Sequence, residues 1–250
     1  MRFNKLLLTL LSYVLSGLLL LSCANHPDKK NSAGKKSAAN NEHAVGSAGK
    51  YSIPASILPA GPVTQNPYLL SKPTVSAQAE KSFSEAVVAM QQKNWVKAEA
   101  LLQNLASESP NLSGVFLNLG IVYRAKGDSA KAADFFNKAI SVNPKNVDAY
   151  NQLAVIKREM GAFTDAESLY LKALTVWPFC PDSHKNIAIL YELYMGKSDQ
   201  ALPHYFAYQQ LLPAPDKQVD SWIADLQRRL NGGKKVSSEA EKNDQAAETK

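Results

Sequence analysis

Two consecutive blocks, residues 113–146 and 147–180, carry one pattern at a spacing of 34 residues, and this repeat limits the fold more than any other feature of the chain. Phe116, Leu119, Gly120, Gly127, Ala132, Phe136, Ala139 and Pro144 are answered by Tyr150, Leu153, Ala154, Gly161, Ala166, Tyr170, Ala173 and Pro178. Tyr123 alone changes type, to Lys157. A unit this short cannot bury its apolar face by itself, so copies must stack into a linear array.

The pattern has a physical logic. Gly120, Ala154, Ala132 and Ala166 remove bulk where two antiparallel helices cross, and Phe116, Phe136, Tyr150 and Tyr170 fill the space beside them. Gly127 and Gly161 fall where the first helix of each pair must end, a position that favours tolerance of positive φ. Pro144 and Pro178 stop the second helix, because proline lacks the N–H and clashes with the preceding turn.

The same spacing resembles the tetratricopeptide repeat. That unit has a bulky fourth residue, Leu-Gly at seven and eight, Tyr at eleven, Ala at twenty, an aromatic at twenty-four, Ala at twenty-seven and Pro at thirty-two. Ser113 to Asn146 meets each place, with Phe116 where Trp is commonest. The resemblance implies an all-α fold: helix-turn-helix pairs wound into a superhelical solenoid, closed by a C-terminal capping helix. Repeats are expected at about 79–112, 113–146, 147–180 and 181–214, within a domain spanning 76–230.

The outer repeats depart from the pattern. In the first, Ala98, Leu102 and Pro110 keep register, but Glu85 and Ala86 stand at the Leu-Gly places. The fourth carries one extra residue between Tyr191 and Gly196 and has Pro203 early in its second helix, so it is predicted to be locally distorted. Val219, Trp222, Ile223, Leu226 and Leu230 give residues 216–230 one apolar face, as a capping helix needs. Asn231, Gly232 and Gly233 are expected to end that helix, leaving 231–250 as a disordered tail.

The N-terminus is laid out as a secretory signal: Arg2 and Lys5, then an apolar run from Leu6 to Leu21. Leu20, Leu21, Ser22 and Cys23 resemble a bacterial lipobox, which implies removal of residues 1–22 and acylation of Cys23. Ala24, rather than Asp, follows the cysteine, and by the same resemblance this favours the periplasmic face of the outer membrane over the inner membrane. The alternative is an uncleaved anchor. Residues 23–75 are rich in Asn, Lys, Ser, Ala, Gly and Pro without a helical or alternating period, and read as a disordered tether. Tyr51, Ile53, Ile57, Leu58, Tyr68 and Leu69 are apolar enough for a short piece to dock on the repeats.

Charge narrows the partners. The chain is +6 overall, yet residues 76–230 hold 16 Lys and Arg against 16 Asp and Glu, so the excess lies in the N-terminal segments. A neutral solenoid is a poor phosphate binder, and no nucleic-acid partner is expected.

In tetratricopeptide repeats the first helices line the concave groove. Carried onto this chain, the sixth place gives Asn118, Gln152 and Asn186, the fifth Leu117, Asn151 and Lys185, and the twelfth Arg124, Arg158 and Glu192. Amides in a ladder can pair with an extended backbone, and arginines with carboxylates. The implied ligand is an extended or C-terminal peptide of acidic character. The chain's own tether or tail in the groove, or binding on the convex face, are the other readings.

Nothing in the sequence assembles an active site, a metal site or a cofactor site. His26 and His43 fall in the tether, His184 at a packing position and His204 on another helix, none with ligand spacing. Cys180 would be the one thiol left after acylation of Cys23, and Gly120 and Gly127 are repeat glycines without a phosphate loop. The expectation is a non-enzymatic scaffold or adaptor anchored by lipid, with a pilotin-like layout. It would serve pilus, secretin or cell-wall assembly. An envelope enzyme or an inner-membrane-tethered assembly factor stands as the alternative, and the sequence sets no oligomeric state.

Overall fold

The computed structural model describes residues 56–71 and 73–248, with side chains through residue 232. The expected signal segment 1–22, Cys23 and tether residues 24–55 lie outside the described residues. Local chemistry sets the helix starts: Ser76, Asn94, Asp128 and Asn146 each accept a hydrogen bond from the N–H three residues on, at 3.0–3.1 Å.

Ten α-helices follow, with no strand among the described residues. α1 is Pro67–Leu70. The repeats are α2 Ala77–Gln91 with α3 Trp95–Glu108, α4 Ser113–Ala125 with α5 Ser129–Val142, α6 Val147–Glu159 with α7 Phe163–Val176, and α8 Pro181–Ile189 with α9 Ser198–Leu211. α10, Lys217–Glu248, packs on α9. Each helix from α2 to α10 packs on the next in sequence, and the first helix α6 also touches the first helices α4 and α8, which is the solenoid expected.

The core runs along this array. Leu102, Leu119, Val122, Phe136 and Ile156 are buried in its first half, and Tyr170, Ile187, Leu190, Tyr205 and Leu226 in its second. Gly127, Gly161 and Gly196 turn each helix pair at φ 85°, 76° and 64°. The first repeat makes the same turn with Lys93 at φ 57°. A side chain in that region costs about 1 kcal/mol. Lys93→Gly should therefore raise stability by about 0.5–1 kcal/mol in urea unfolding.

The distortion expected in repeat four is a π-helical turn, Leu190–Tyr194, with the Met195 N–H donating to Leu190 O at 3.1 Å. One wide turn absorbs the extra residue without breaking the helix.

Two expectations need correction. The tether does not extend to 75: residues 56–71 lie on the solenoid, crossing the turns between repeats. Ser56 Oγ donates to Gln210 Oε1 at 3.5 Å, and Leu58 packs against the cluster of Val147, Tyr150, Trp177, Phe179 and Leu211. The Trp177 indole N–H donates to Thr64 O at 2.9 Å, and Asn66, 3% exposed, caps α1. Burial of these few side chains offsets the ordering entropy that composition alone would leave unopposed. The tail is also not irregular from 231, since α10 continues through Gly232 and Gly233 to Glu248. Each glycine costs about 1 kcal/mol relative to Ala. The Glu, Ala, Lys and Gln that follow are strong helix formers and carry the helix on.

Candidate peptide-binding groove

α4, α6 and α8 lie in a row, α6 against both others, and the tetratricopeptide resemblance implies that this row lines the concave surface. Its two ends differ. The end where these helices begin is covered by the docked segment. There Tyr68 faces Ser113, the Gly114 N–H and Asp148, and burial together with the Asp148 carboxylate pushes its hydroxyl up to about 12. Arg124 and Arg158 stand at the other end. Gly114 and Arg124 are ten residues apart on one helix, which is about 15 Å at 1.5 Å per residue, so the segment leaves the arginine end uncovered.

At the arginine end the repeats are tied together. Arg124 donates through Nη1 to Gln152 Oε1 at 3.1 Å and through Nη2 to Glu159 at 2.6 Å. Arg158 lies 5.5 Å from the centre of the Tyr194 ring, which also rests on Phe163 at 5.3 Å. Arg158 Nη1 and the Tyr170 hydroxyl are buried and have no hydrogen-bond partner among the described residues. Burial pushes the Tyr170 hydroxyl up to about 12, against the pull of Arg158 and Arg124.

Of the seven groove residues expected, Arg124, Gln152 and Arg158 come together as one cluster, and Asn186 is half-buried on α8. The other three do different work. Asn118 is 8% exposed and donates to Gly114 O of its own helix at 2.7 Å. Asn151 is 2% exposed, donating to Cys180 Sγ at 3.8 Å and accepting from the Ser183 hydroxyl at 2.9 Å. It joins α6 to α8 and is not available to a ligand. Asn151→Leu should cost about 1–2 kcal/mol in urea unfolding, because it strands the Ser183 hydroxyl, and should leave ligand capture unchanged. Lys185 donates to Asp216 at 3.2 Å and lies over the Tyr208 and Trp222 rings, so it locks the start of α10 onto repeat four.

Sequence reasoning missed a second constellation. His184 and His204 meet with Nδ1 atoms 2.9 Å apart, and His184 Nε2 faces Pro178 O at 2.8 Å. A carbonyl only accepts, so Nε2 carries the proton, His184 Nδ1 accepts, and His204 Nδ1 donates. Burial holds His184 below its ordinary value and, with His184 beside it, pushes His204 down to about 3. The signal was the pairing of α8 with α9, which brings positions 20 residues apart face to face.

No group of three or more His, Cys, Asp or Glu among the described residues is placed to hold a metal. Cys180 is a buried free thiol. No helix among the described residues is long and apolar enough to cross a membrane.

Comparison with known proteins agrees with this geometry. Residues 115–146 and 135–168 each match a profile described as the tetratricopeptide repeat. Photosystem I assembly proteins Ycf3 from Rippkaea orientalis and Cyanophora paradoxa are 33% and 30% identical to this chain over 90 residues, 36% of it and 46% of each relative. The chain thus spans less than half the length of these relatives. Among solved structures, pilF of Pseudomonas aeruginosa aligns with TM-score 0.56 and 18% identity, over 62% of this chain and 69% of that one. A thermophilic TPR protein of Thermus thermophilus aligns with TM-score 0.51 and 23% identity, over 59% and 80%. At these identities the likeness concerns the fold. Repeat spacing, helix pairing and the two profile matches agree: residues 115–168 are built of tetratricopeptide repeats, and the described residues fold as a solenoid of that kind.

Proposed function

We propose that this protein is a lipid-anchored periplasmic adaptor of the outer membrane, whose solenoid binds an extended, acidic segment of a protein partner in its concave groove. The observation that carries the groove reading is the docked segment 56–71. Beside the start of the groove helices the repeats already hold a segment of chain along the turns between them, through an indole donor to its backbone and apolar contacts to its side chains. The uncovered end offers Arg124, Gln152, Arg158 and Asn186, a set suited to carboxylates and backbone amides. The anchor rests on the Leu20 to Cys23 lipobox and on Ala24. Two relatives are named for assembly, and assembly of an envelope machine such as a pilus, secretin or cell-wall complex is the client class that fits a scaffold without catalytic groups.

Co-purification from cross-linked envelope tests the reading. The native chain should retain a protein partner that Arg124→Ala with Arg158→Ala loses at unchanged helix content, whereas identical partner lists would remove the groove. Labelled palmitate should enter the native chain and not Cys23→Ser, and the label should fractionate with the outer membrane. Label in the inner membrane would move the anchor.

A further inference from the structure

The arginine end of the groove holds two donors that the fold leaves unused. A buried donor without a partner is costly, and its persistence asks for a ligand or a water. Arg158 Nη1 and the Tyr170 hydroxyl are such a pair, on neighbouring helices α6 and α7, with Tyr170 fully buried. Arg124 and Glu159 lie in the same electrostatic neighbourhood. Both donors are covered in the free protein, and Tyr194 lies over Arg158. Tyr194 is 45% exposed, and it ends the π turn, two residues before the positive-φ Gly196. Leu193, next to it in sequence, and Met160, two residues after Arg158, are 67% and 69% exposed. The wide turn of repeat four thus sets an apolar ring against the guanidinium and an exposed leucine next to that ring in sequence.

Resting on the groove reading above, we propose that Arg158 Nη1 and the Tyr170 hydroxyl form a subsite for one acidic side chain of an extended peptide, gated by Tyr194. Met160, Leu193 and the displaced Tyr194 ring take a large apolar side chain two residues away. The spacing follows from extended geometry. Alternate residues share a face and lie about 7 Å apart, and the Tyr194 ring centre lies 5.5 Å from the guanidinium. An acidic side chain, rather than a chain terminus, suits a position on the middle helix of the row, with α4 on one side of α6 and α8 on the other.

The test titrates the full chain in detergent with a blocked peptide, acetyl-Gly-Ser-Phe-Ser-Glu-Ser-Gly-amide, and with its Glu→Gln and Phe→Ala forms. A fourth peptide lacks Glu and ends in Phe with a free carboxylate. The parent should bind, and each single change should weaken it about tenfold. Tyr170→Phe should weaken the parent about tenfold and leave the Glu→Gln peptide unaffected. It should also raise the melting temperature of the free protein, because it removes a buried hydroxyl that nothing satisfies. A lowered or unchanged melting temperature, equal binding of the Glu→Gln peptide, or no binding by any peptide at millimolar concentration would each overturn the subsite. Full binding by the free-carboxylate peptide would overturn the side-chain assignment. Partner capture by the native chain that is lost from the arginine variant leaves the groove reading standing through any of these failures, whereas capture that persists in the arginine variant removes both.

Discussion

Lowering the pH from 7 to 5 is expected to destabilise the solenoid by about 2 kcal/mol through His204 alone, with His184 adding to it. In the folded chain both imidazoles are held neutral, His204 down to about 3. A proton on His184 Nδ1 would set two N–H groups against each other across 2.9 Å, and one on His204 Nε2 would place a charge in buried space. The unfolded chain meets neither obstacle and takes up protons near the ordinary histidine value. Because the folded values are depressed, this contribution is whole above about pH 6.5 and is lost as pH falls toward 3, at up to about 1.4 kcal/mol per unit per histidine. Glu99, Asp128 and Asp216 are held below their ordinary range, so their contributions fade only at lower pH, leaving pH 6.5–5 to the histidines. Urea midpoints at pH 7, 6 and 5 should fall in the native chain and fall less in His204→Phe. A flat profile in the native chain would contradict the buried neutral pair.

Gly120→Val is expected to cost about 3 kcal/mol, the upper part of the range for an overpacked core. A Cβ at this position would sit 2.4 Å from the Phe136 ring, in the middle of the α4–α5 crossing. Helix propensity favours replacing glycine by no more than about 1 kcal/mol, so the clash decides the sign. In a domain of this size the melting temperature should fall by about 10 °C. Phe136→Leu shortens the opposing ring and should recover part of the loss in the double variant, as a thermal-melt cycle would show. Equal stability of Gly120→Val and the native chain would mean that α4 and α5 do not cross where the repeat places them.

The repeats were legible because their spacing is local physics. Gly120 and Ala154 permit close crossings, Pro144 and Pro178 stop helices, and the extra residue after Tyr191 forecast a local distortion, whose form is the π turn. Residues 56–71 were legible only as a set of apolar side chains in a segment without period. Their place depends on Trp177 and Ser113, more than forty residues away, and no local pattern encodes such contacts. α10 outran its expected end because Gly232 and Gly233 lower helix propensity without forbidding a helix. Arg124, Gln152 and Arg158 lie on the first helices where the repeat register puts them, whereas Asn151 is buried, because a polar residue at an expected lining position can equally bridge two helices. Arg158 and Tyr170 as partnerless donors, and the meeting of His184 with His204, needed the third dimension.

The central claim, that the concave face receives a protein partner, is tested most directly by site-specific photocrosslinking in living cells. A photoreactive residue at Gln152 or Asn186 should capture the same protein, while one at Lys138 on α5 or Lys172 on α7, both exposed on second helices, should capture none. Capture from Lys138 and Lys172 but not from Gln152 and Asn186 would contradict the account and move the site to the convex face.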